Sequence, residues 1–576
     1  MFGRRRIFVM VSLSAVTAFF IVFLVYPIFH VLKGSVVPKD TFTLGLYRTT
    51  LNYWYYRSVI VNSLLLGLTV TVLTTLMALP LAAFTVRYDF PGKRFVNGII
   101  LLPMVLPPFV GAIGIKQMFA HAGAVNVLLG HITYAATSAL AWLGVVDAPW
   151  RMVIEWTRGG FWMVAALGAL HLYPIMYLNV AASLASVDRS CEEAAYNLGG
   201  SRWSVFRRVT FPLMLPGYFA GASLVFIWAF TDLGTPLVLN YPHVLPRVIY
   251  TLATGEKHDA RGFALVVLVL AVTATVFVAA RLLVRGRLHA RMSKGGTQAV
   301  PRRVSRRAAA GILVFILGLT FIAVLPHIAV ILSSVATPGG WQGTVLPRTF
   351  TTENYVGIAQ HKVALPSILN SLAYSTLATV GAVLLGVLIA YLLTRERFVG
   401  KTLLDTTVMM PLAIPGIVLA FGYVACFGDG PLNPMVNPVP LLVIGYIVRR
   451  LPYMVRSAVA GFQHVSQSLE EASTNLGAGG WTTLRRITVP LVMANLLAGA
   501  ILTFVFSMFE VSQSLVLAQD QRYYPIASAL YQLGARLSDG AWLASAMGVV
   551  GMVVLAAGLI AAGSFLGRRL GEIFRA

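Results

Sequence analysis

The chain has 576 residues, of which 58% are hydrophobic and only 11% charged. A soluble protein carries about 25% charged residues, so this composition indicates a membrane protein. The formal net charge is +24, but Lys and Arg lie mainly at the ends of apolar runs and form no basic face, which argues against nucleic-acid binding.

Twelve apolar runs are long enough to cross a bilayer, which takes about 20 residues. They lie near 7–32, 58–86, 95–119, 161–186, 212–239, 263–284, 308–333, 367–393, 403–426, 438–460, 490–518 and 541–566. The stretch 130–146 is shorter and flanked by His131 and Asp147, so we expect a periplasmic or re-entrant helix there rather than a span. The first run is too long for the apolar part of a secretory signal, which predicts a retained helix.

Basic residues predict the orientation of these spans. The segments rich in Arg and Lys are 4–6, 87–94, 187–208, 285–307, 395–401 and 568–575. All of them fall on one side if there are twelve spans, and basic loops stay in the cytoplasm. We therefore predict an all-α polytopic protein of the bacterial inner membrane with both termini in the cytoplasm.

The two sets of six spans form parallel repeats. Asn62-Ser63-Leu64 recurs as Asn370-Ser371-Leu372, at an offset of 308, whereas later landmarks recur at an offset of 278. The first half therefore carries about thirty extra residues, for which the outer loop 120–160 is the natural place. The expected organisation is a first repeat of residues 1–286, a basic linker of 287–307 and a second repeat of 308–576.

One polar motif occurs in each repeat. The first copy contains Glu192, Glu193, Ala194, Ala195, Gly199 and Pro212, and the second contains Glu470, Glu471, Ala472, Ser473, Gly477 and Pro490. Acids favour the first turn of a helix, and glycine favours the left-handed residue that ends one. We expect a short helix in each of the loops 187–208 and 465–486, with small residues at 194–195 and 472–473 that let another protein approach closely.

The motif reads Glu-Ala-Ala, three residues, Gly, nine residues, then apolar, any, apolar and Pro. It resembles the EAA signature of the membrane subunits of ATP-binding-cassette importers, with Ser473 as its one departure. The resemblance implies a type I importer permease whose two loops are coupling helices, each docked on one of two copies of a cytoplasmic ATPase. It also implies a periplasmic binding protein that delivers the cargo. The alternative without a partner protein is a pair of basic interfacial helices that lie on the lipid surface.

No catalytic residue, cofactor or metal site is expected in this chain. Gly400-Lys401-Thr402 looks like the end of a phosphate loop, but residue 395 is Arg where that motif needs Gly. ATP and Mg²⁺ would therefore be bound by the partner ATPase. Cys191 and Cys426 fall at opposite faces of the predicted membrane, so we expect both to be free thiols.

Ionisable residues within spans cost roughly 3 kcal/mol each on insertion scales, so they point to function. Five of them are predicted to border the pathway of a polar cargo: His171, Asp232, Arg449, Arg450 and Glu510. The alternative is a structural salt bridge between Arg449 or Arg450 and an acid across the bundle. Pro174 and Pro452 are expected to break their helices.

The cargo is less well indicated than the machinery. The chain most resembles the ferric-iron importers, with 2-aminoethylphosphonate, sugar phosphate and thiamine importers as alternatives. The resemblance lies in the fusion of two halves in one chain and in two runs, Phe230–Pro236 and Arg449-Arg450-Leu451-Pro452. Two arginines would suit an anion better than a bare cation. A secondary transporter driven by an ion gradient is an alternative class, but it would not need two coupling loops. A membrane scaffold is a third and predicts no uptake. The outer tyrosines 53, 55, 56, 523 and 524 are expected to form an interfacial belt rather than to bind iron.

Overall fold

The computed structural model describes residues 2–38, 41–156, 160–255, 259–285, 301–535 and 540–566. Most of the predicted linker, 287–300, and the basic tail 568–575 lie outside the described residues. The helices of the first half are α1 (Phe2–Phe20), α2 (Tyr26–Val36), α3 (Gly45–Asn52), α4 (Trp54–Arg87), α5 (Lys93–Ile100), α6 (Leu102–Val105), α7 (Pro108–Met118), α8 (Ala124–Trp142), α9 (Phe161–Ala185), α10 (Arg189–Asn197), α11 (Arg202–Val205), α12 (Phe211–Thr231), α13 (Gly234–Val238), α14 (Leu245–Thr254) and α15 (Arg261–Arg285).

The second half repeats this order without a counterpart of α8. Its helices are α16 (Arg306–Val335), α17 (Glu353–Gln360), α18 (Ala364–Arg395), α19 (Lys401–Ala413), α20 (Gly416–Phe427), α21 (Val439–His464), α22 (Gln467–Asn475), α23 (Gly480–Thr483), α24 (Val489–Met508), α25 (Ser512–Leu517), α26 (Ile526–Gly534) and α27 (Gly540–Leu566). Single π-helical turns occupy Ile21–Val25, Phe206–Thr210 and Leu484–Thr488, and Gln521–Tyr523 is a 3₁₀ turn. Two short strands, β1 (Tyr88–Asp89) and β2 (Arg302–Arg303), pair in parallel.

The prediction of an all-α fold with about twelve membrane helices is confirmed. Within the described residues, ten helices are long and apolar enough to cross a membrane, and two bent helix pairs raise the number to as many as twelve. The ten include α8, which the sequence pattern did not count as a span. They omit α21, the predicted tenth span, because it carries three arginines, Arg449, Arg450 and Arg456.

The two bent pairs are the third span of each half. The helix axis turns by 82° between Lys93–Met104 and Pro108–Met118, and by 100° between Lys401–Ala413 and Gly416–Phe427. Leu106 and Ile414 sit at the bends in extended conformation, each directly before a proline. The proline ring disfavours helical geometry in the residue before it, so the sequence itself places both bends.

Pro174 and Pro452 behave differently from the expectation. Helices α9 and α21 continue through them without interruption, so the prediction that these prolines break their helices is wrong. A proline removes one helical N–H, and neighbouring helices can compensate for that loss within a membrane. Both prolines are buried, with α9 packed along α4 and α21 packed along α18.

The first membrane helix of each half packs against the bent span of the other half. Helix α2 lies along α20, and α16 lies along α7. The hydroxyl of Tyr423 donates a hydrogen bond to the carbonyl of Phe23 at 2.8 Å, and Nε2 of His327 lies 3.2 Å from the carbonyl oxygen of Pro107. Buried residues of both halves therefore form one apolar core.

Candidate functional site

Two short helices, α10 and α22, stand at the same end of the bundle and carry the repeated motif. Asp188 and Ser466 cap them, accepting hydrogen bonds from the backbone N–H of Ser190 at 3.0 Å and of Ser468 at 3.3 Å. The predicted glycine stops are present in the structure. Gly199 has φ of +83° and Gly477 of +89°. The following N–H groups reach back to Ala195 at 3.0 Å and Ser473 at 3.1 Å, the bond that closes a Schellman motif.

The first glutamate of each motif points inward and is held by two side chains. Glu192 contacts the guanidinium of Arg87 and accepts a hydrogen bond from Thr210. We call these three residues the first carboxylate anchor. Arg87 ends α4 and Thr210 ends the π turn before α12, so the anchor ties α10 to two membrane helices.

The second carboxylate anchor consists of Glu470, Arg395 and Thr488. Nε of Arg395 lies 3.0 Å from Oε2 of Glu470, and the hydroxyl of Thr488 donates to Oε1 at 3.0 Å. Arg395 also donates to the carbonyl of Val465 at 3.0 Å and lies over the ring of Phe462 at 5.7 Å. The same chemistry therefore holds both loops.

The π turns Phe206–Thr210 and Leu484–Thr488 occupy matching places in the two halves. Each turn contains an arginine pair and ends at the threonine of its anchor. A π turn adds one residue to a helical turn and often marks a functional site. Here the extra residue rotates the chain before α12 and α24, so that the last hydroxyl of the turn faces the glutamate.

The second glutamate of each motif faces outward. Glu193 and Glu471 are exposed, as are Ala194 and Ala472. Around them, Leu198 and Leu476 are each 89% exposed, and Trp203 and Trp481 are 68% and 74% exposed. The first loop face is therefore Glu193, Ala194, Leu198 and Trp203, and the second is Glu471, Ala472, Leu476 and Trp481.

The prediction that small residues at 194–195 and 472–473 are all open to a partner is wrong for the second residue of each pair. Ala195 is half-buried, and Ser473 is buried with its hydroxyl 2.9 Å from that of Thr483. These positions follow the helix repeat around to the inner side, so only Ala194 and Ala472 of the small pair are open to a partner. Of the two acids, Glu192 and Glu470 lie in the first helical turn, and Glu193 and Glu471 follow it.

In the membrane part of the second half, the predicted charges pair with one another. Nη1 of Arg449 lies 2.9 Å from Oε1 of Glu510, and Arg450 contacts the other carboxylate oxygen. Arg450 also donates to the carbonyl of Phe506 at 3.0 Å. Glu510 is 5% exposed and Arg449 is 22% exposed. Arg449 also lies against the α-carbon of Gly416, at the bend between α19 and α20.

The matching residues of the first half have other partners. Nδ1 of His171 lies 2.9 Å from the carbonyl oxygen of Pro103, beside the bend before α7. Asp232 accepts a hydrogen bond from the N–H of Gly234 at 3.0 Å, just before α13. The five predicted pathway residues therefore form one ion cluster in the second half and two backbone contacts in the first.

The outer tyrosines and the cysteines complete the set of predicted residues. Tyr55 and Tyr56 stack edge-to-face at 5.5 Å, and Arg261 lies over the ring of Tyr56. Among the described residues, no group of three or more His, Cys, Asp or Glu side chains could hold a metal ion. Cys191 is exposed, Cys426 is half-buried, and both are free, as predicted.

Sequence comparisons match both halves of the chain. Residues 74–292 and 382–575 match the protein family described as "Binding-protein-dependent transport system inner membrane component". The putative ferric transport system permease protein FbpB 1 of Haemophilus influenzae is 28% identical over 90% of this chain and 79% of its own length. The ferric transport system permease protein FbpB of Actinobacillus pleuropneumoniae is 28% identical over 96% of this chain and 77% of its own length. The putative 2-aminoethylphosphonate transport system permease protein PhnV of Salmonella typhimurium is 28% identical over 41% of this chain and 88% of its own length.

Proposed function

The chain belongs to the family of binding-protein-dependent transport system inner membrane components, and we propose that each loop face receives one copy of a cytoplasmic ATPase. The observation that supports this proposal is that, in both loops, two adjacent glutamates have different environments. Glu192 and Glu470 are tied to the membrane helices, and Glu193 and Glu471 are left open beside an exposed Leu and Trp. An exposed apolar patch rimmed by charge is typical of a protein interface.

The carboxylate anchors give the proposed contact a mechanical consequence. A force on α10 passes through Glu192 to the end of α4 and to the π turn before α12, and α22 is tied to α18 and α24 in the same way. Movement of the ATPases would therefore move two membrane helices in each half. ATP and Mg²⁺ would be bound by the ATPases, and this chain would supply no catalytic group.

Charge reversal on the loop faces tests this proposal. Glu193→Lys and Glu471→Lys should each reduce the amount of ATPase that copurifies with the chain and reduce uptake, while membrane insertion stays normal. Glu353→Lys is the matched control, since Glu353 is an exposed acid at the start of α17, at the other end of the bundle. Full ATPase retention in both loop variants would refute the docking proposal.

The proposed arrangement places the loop faces and both termini in the cytoplasm of a bacterium. A periplasmic binding protein would then deliver cargo at the opposite end of the bundle. Residues 1–286 and 308–576 would form the two permease repeats, joined by a basic linker. The basic loop segments 87–94 and 395–401 adjoin the carboxylate anchors, which supports this orientation.

Ferric iron is the proposed cargo. The support is that two ferric transport permeases match nine-tenths or more of this chain. Uptake of labelled ferric iron by membranes that contain the chain, an ATPase and a binding protein tests it directly. Uptake that survives inactivation of the ATPase and stops when the ion gradient is collapsed would indicate a secondary transporter instead.

An anionic cargo such as a phosphonate is the second candidate. The cluster of Arg449, Arg450 and Glu510 carries one more positive than negative group, and a 2-aminoethylphosphonate permease matches part of the chain. Competition between labelled iron and 2-aminoethylphosphonate for uptake separates the two candidates. Sugar phosphate and thiamine are further competitors for the same assay.

Arg449 is the proposed pathway residue of the ion cluster, because it is the more exposed arginine and lies at the bend before α20. His171, Asp232, Arg450 and Glu510 would border the same route. Arg449→Gln should lower uptake while the amount of folded chain stays unchanged. Normal uptake in that variant would leave the cluster with a purely structural role.

A further inference from the structure

Residues 119–160 link α7 to α9 and have only the short loop 428–438 as their counterpart in the second half. The extra length forms helix α8 and a return segment whose residues 149–155 have no regular secondary structure. We call residues 119–156 the α8 hairpin. It lies at the end of the bundle opposite the loop faces, because α9 runs from the hairpin to α10.

The base of the hairpin is fixed to both halves of the chain. The rings of Phe119 and Trp156 meet edge-to-face at 5.5 Å. The N–H of Gly343, in the second half, donates to the carbonyl of Ala122 at 2.9 Å. Ala124 packs in a small apolar cluster with Trp341 and Trp542. The hairpin therefore has a defined position on the bundle.

Three polar side chains of α8, those of Asn126, Thr133 and Thr137, bond to the return segment of the hairpin. Asn126 donates to the carbonyl of Ile154 at 2.9 Å and accepts from its N–H at 3.1 Å. Thr133 accepts from the N–H of Met152 at 2.9 Å. Thr137 both accepts from the N–H of Trp150 at 3.1 Å and donates to its carbonyl at 3.2 Å. One stripe of the helix thus satisfies the backbone of the return segment at every second residue.

The rest of α8 is open and mainly apolar, with His131 and Tyr134 as exposed polar residues. The sequence of Ala124–Trp142 contains no Asp, Glu, Lys or Arg. Leu128 is 48% exposed, Ile132 56% and Trp142 86%. Only 22% of the most apolar stretch of α8 is buried, the same share as in the first membrane span, Ile7–Val36. A helix that is apolar on its open sides belongs in a core or in lipid.

We propose that the α8 hairpin inserts into the lipid leaflet opposite the loop faces and contacts acyl chains through Leu128, Ile132 and Leu140. Backbone polar groups within lipid must be satisfied by the protein, and Thr137, Thr133 and Asn126 do this for the N–H groups of residues 150, 152 and 154. The charged side chains Asp147, Arg151 and Glu155 of the hairpin all lie after α8, and none lies on the helix itself. Trp142 and Trp150 suit the boundary between lipid and water.

The test measures which solvent reaches α8 in the full chain, reconstituted alone in lipid nanodiscs. Cys191→Ser and Cys426→Ser first remove both native thiols. Single cysteines at Leu128, Ile132 and Leu140 then receive a nitroxide label, and its relaxation by lipid-soluble oxygen is compared with its relaxation by a water-soluble nickel chelate. Leu377, 55% exposed on α18, is the lipid control, and Val436, 73% exposed in the short counterpart loop, is the water control.

The expected result is that labels at 128, 132 and 140 match Leu377 and lose the nickel effect seen at Val436. Nickel relaxation equal to that at Val436 would overturn the proposal. Nickel access that disappears only when a binding protein is added would also overturn it and would assign the hairpin to a protein partner. If one label prevents reconstitution, the other two positions give the same comparison. None of these measurements requires an ATPase, so a failure here is separate from a failure of the docking proposal.

Discussion

At the loop faces the two halves of the chain are nearly the same. Leu198 and Leu476 have equal exposure, and Glu192 and Glu470 are each held by an arginine and a threonine. At the predicted pathway residues the matching positions differ in charge and in partners. His171 and Asp232 contact backbone groups, whereas Arg449, Arg450 and Glu510 form an ion cluster.

The difference separates two kinds of constraint. If two copies of one ATPase dock on the chain, each loop must satisfy the same requirement, and both must keep the same geometry. A cargo that passes between the halves meets both of them at once. The charge that the cargo requires must then be supplied by the two halves together, and one half can supply all of it.

The ion cluster provides the largest expected contrast between the halves. Glu510→Gln removes the carboxylate that both arginines contact, and breaking a buried ion pair costs about 3–5 kcal/mol. Asp232→Asn, the matching change, keeps a side-chain oxygen that can accept from the N–H of Gly234 and should cost less than about 1 kcal/mol. The measurement is the unfolding midpoint of each variant in nanodiscs.

A rescue variant makes this prediction specific. Arg450 corresponds to Leu172 in the first half, and a buried charge replaced by an apolar residue no longer needs a partner. Arg450→Leu added to Glu510→Gln should therefore recover part of the lost stability. Equal stability of Glu510→Gln and Asp232→Asn would show that the cluster does not distinguish the halves energetically.

The carboxylate anchors should differ from each other by less. Charge-assisted hydrogen bonds contribute about 1.5–3 kcal/mol, and Arg395 is 7% exposed whereas Arg87 is 33% exposed. Arg395→Ala should therefore loosen α22 more than Arg87→Ala loosens α10. Amide hydrogen exchange in the two helices measures this, with Arg456→Ala as the control for loss of an exposed arginine in an ion pair. A larger effect at Arg87 would contradict the link between burial and anchor strength.

Much of this arrangement could be predicted from the sequence. Apolar runs indicated the spans, and the repeated motif indicated both loop faces. The anchors were not predicted, because Arg87 lies 105 residues before Glu192 and only the packing of the helices brings the two together. Arg87 and Arg395 are 308 residues apart, and Thr210 and Thr488 are 278 apart, since the α8 hairpin lies between them. Both pairs follow the offsets of the repeat, but neither offset indicates that these side chains meet a glutamate.

Other features depend on packing that the sequence does not show. Pro107 and Pro415 lie at helix breaks, directly before α7 and at the start of α20. Pro174 and Pro452 lie inside helices, although all four prolines occur in apolar runs. Leu106 and Ile414 are extended, and the helices around Pro174 and Pro452 are held by α4 and α18. The sequence allowed a salt bridge between Arg449 or Arg450 and an acid across the bundle, and only the distances identify Glu510 as that acid.

The glycine stops should respond equally in the two halves. Gly199 and Gly477 have φ near +85° with open space where a Cβ would lie. The cost of alanine is then purely the left-handed backbone, about 1–2 kcal/mol at each position. Gly98→Ala is the control, because it also meets open space but lies inside helix α5. Loop protection from hydrogen exchange should fall equally in the two variants and not in the control, and a one-sided effect would break the equivalence of the loops.

The smallest expected effect lies beneath the second loop face, where the inner residues of the loops differ. Ser473 and Thr483 share a hydrogen bond of 2.9 Å, and the matching residues of the first half are Ala195 and Val205. Ser473→Ala alone leaves the buried Thr483 hydroxyl without this partner and should cost about 1 kcal/mol. Adding Thr483→Val removes that hydroxyl and recreates the first-half pair, so the double variant should return close to the original stability. Faster hydrogen exchange in α22 of the double variant than of the single variant would contradict this prediction. It would mean that the inner packing of the two loops is not interchangeable, although their outer surfaces match.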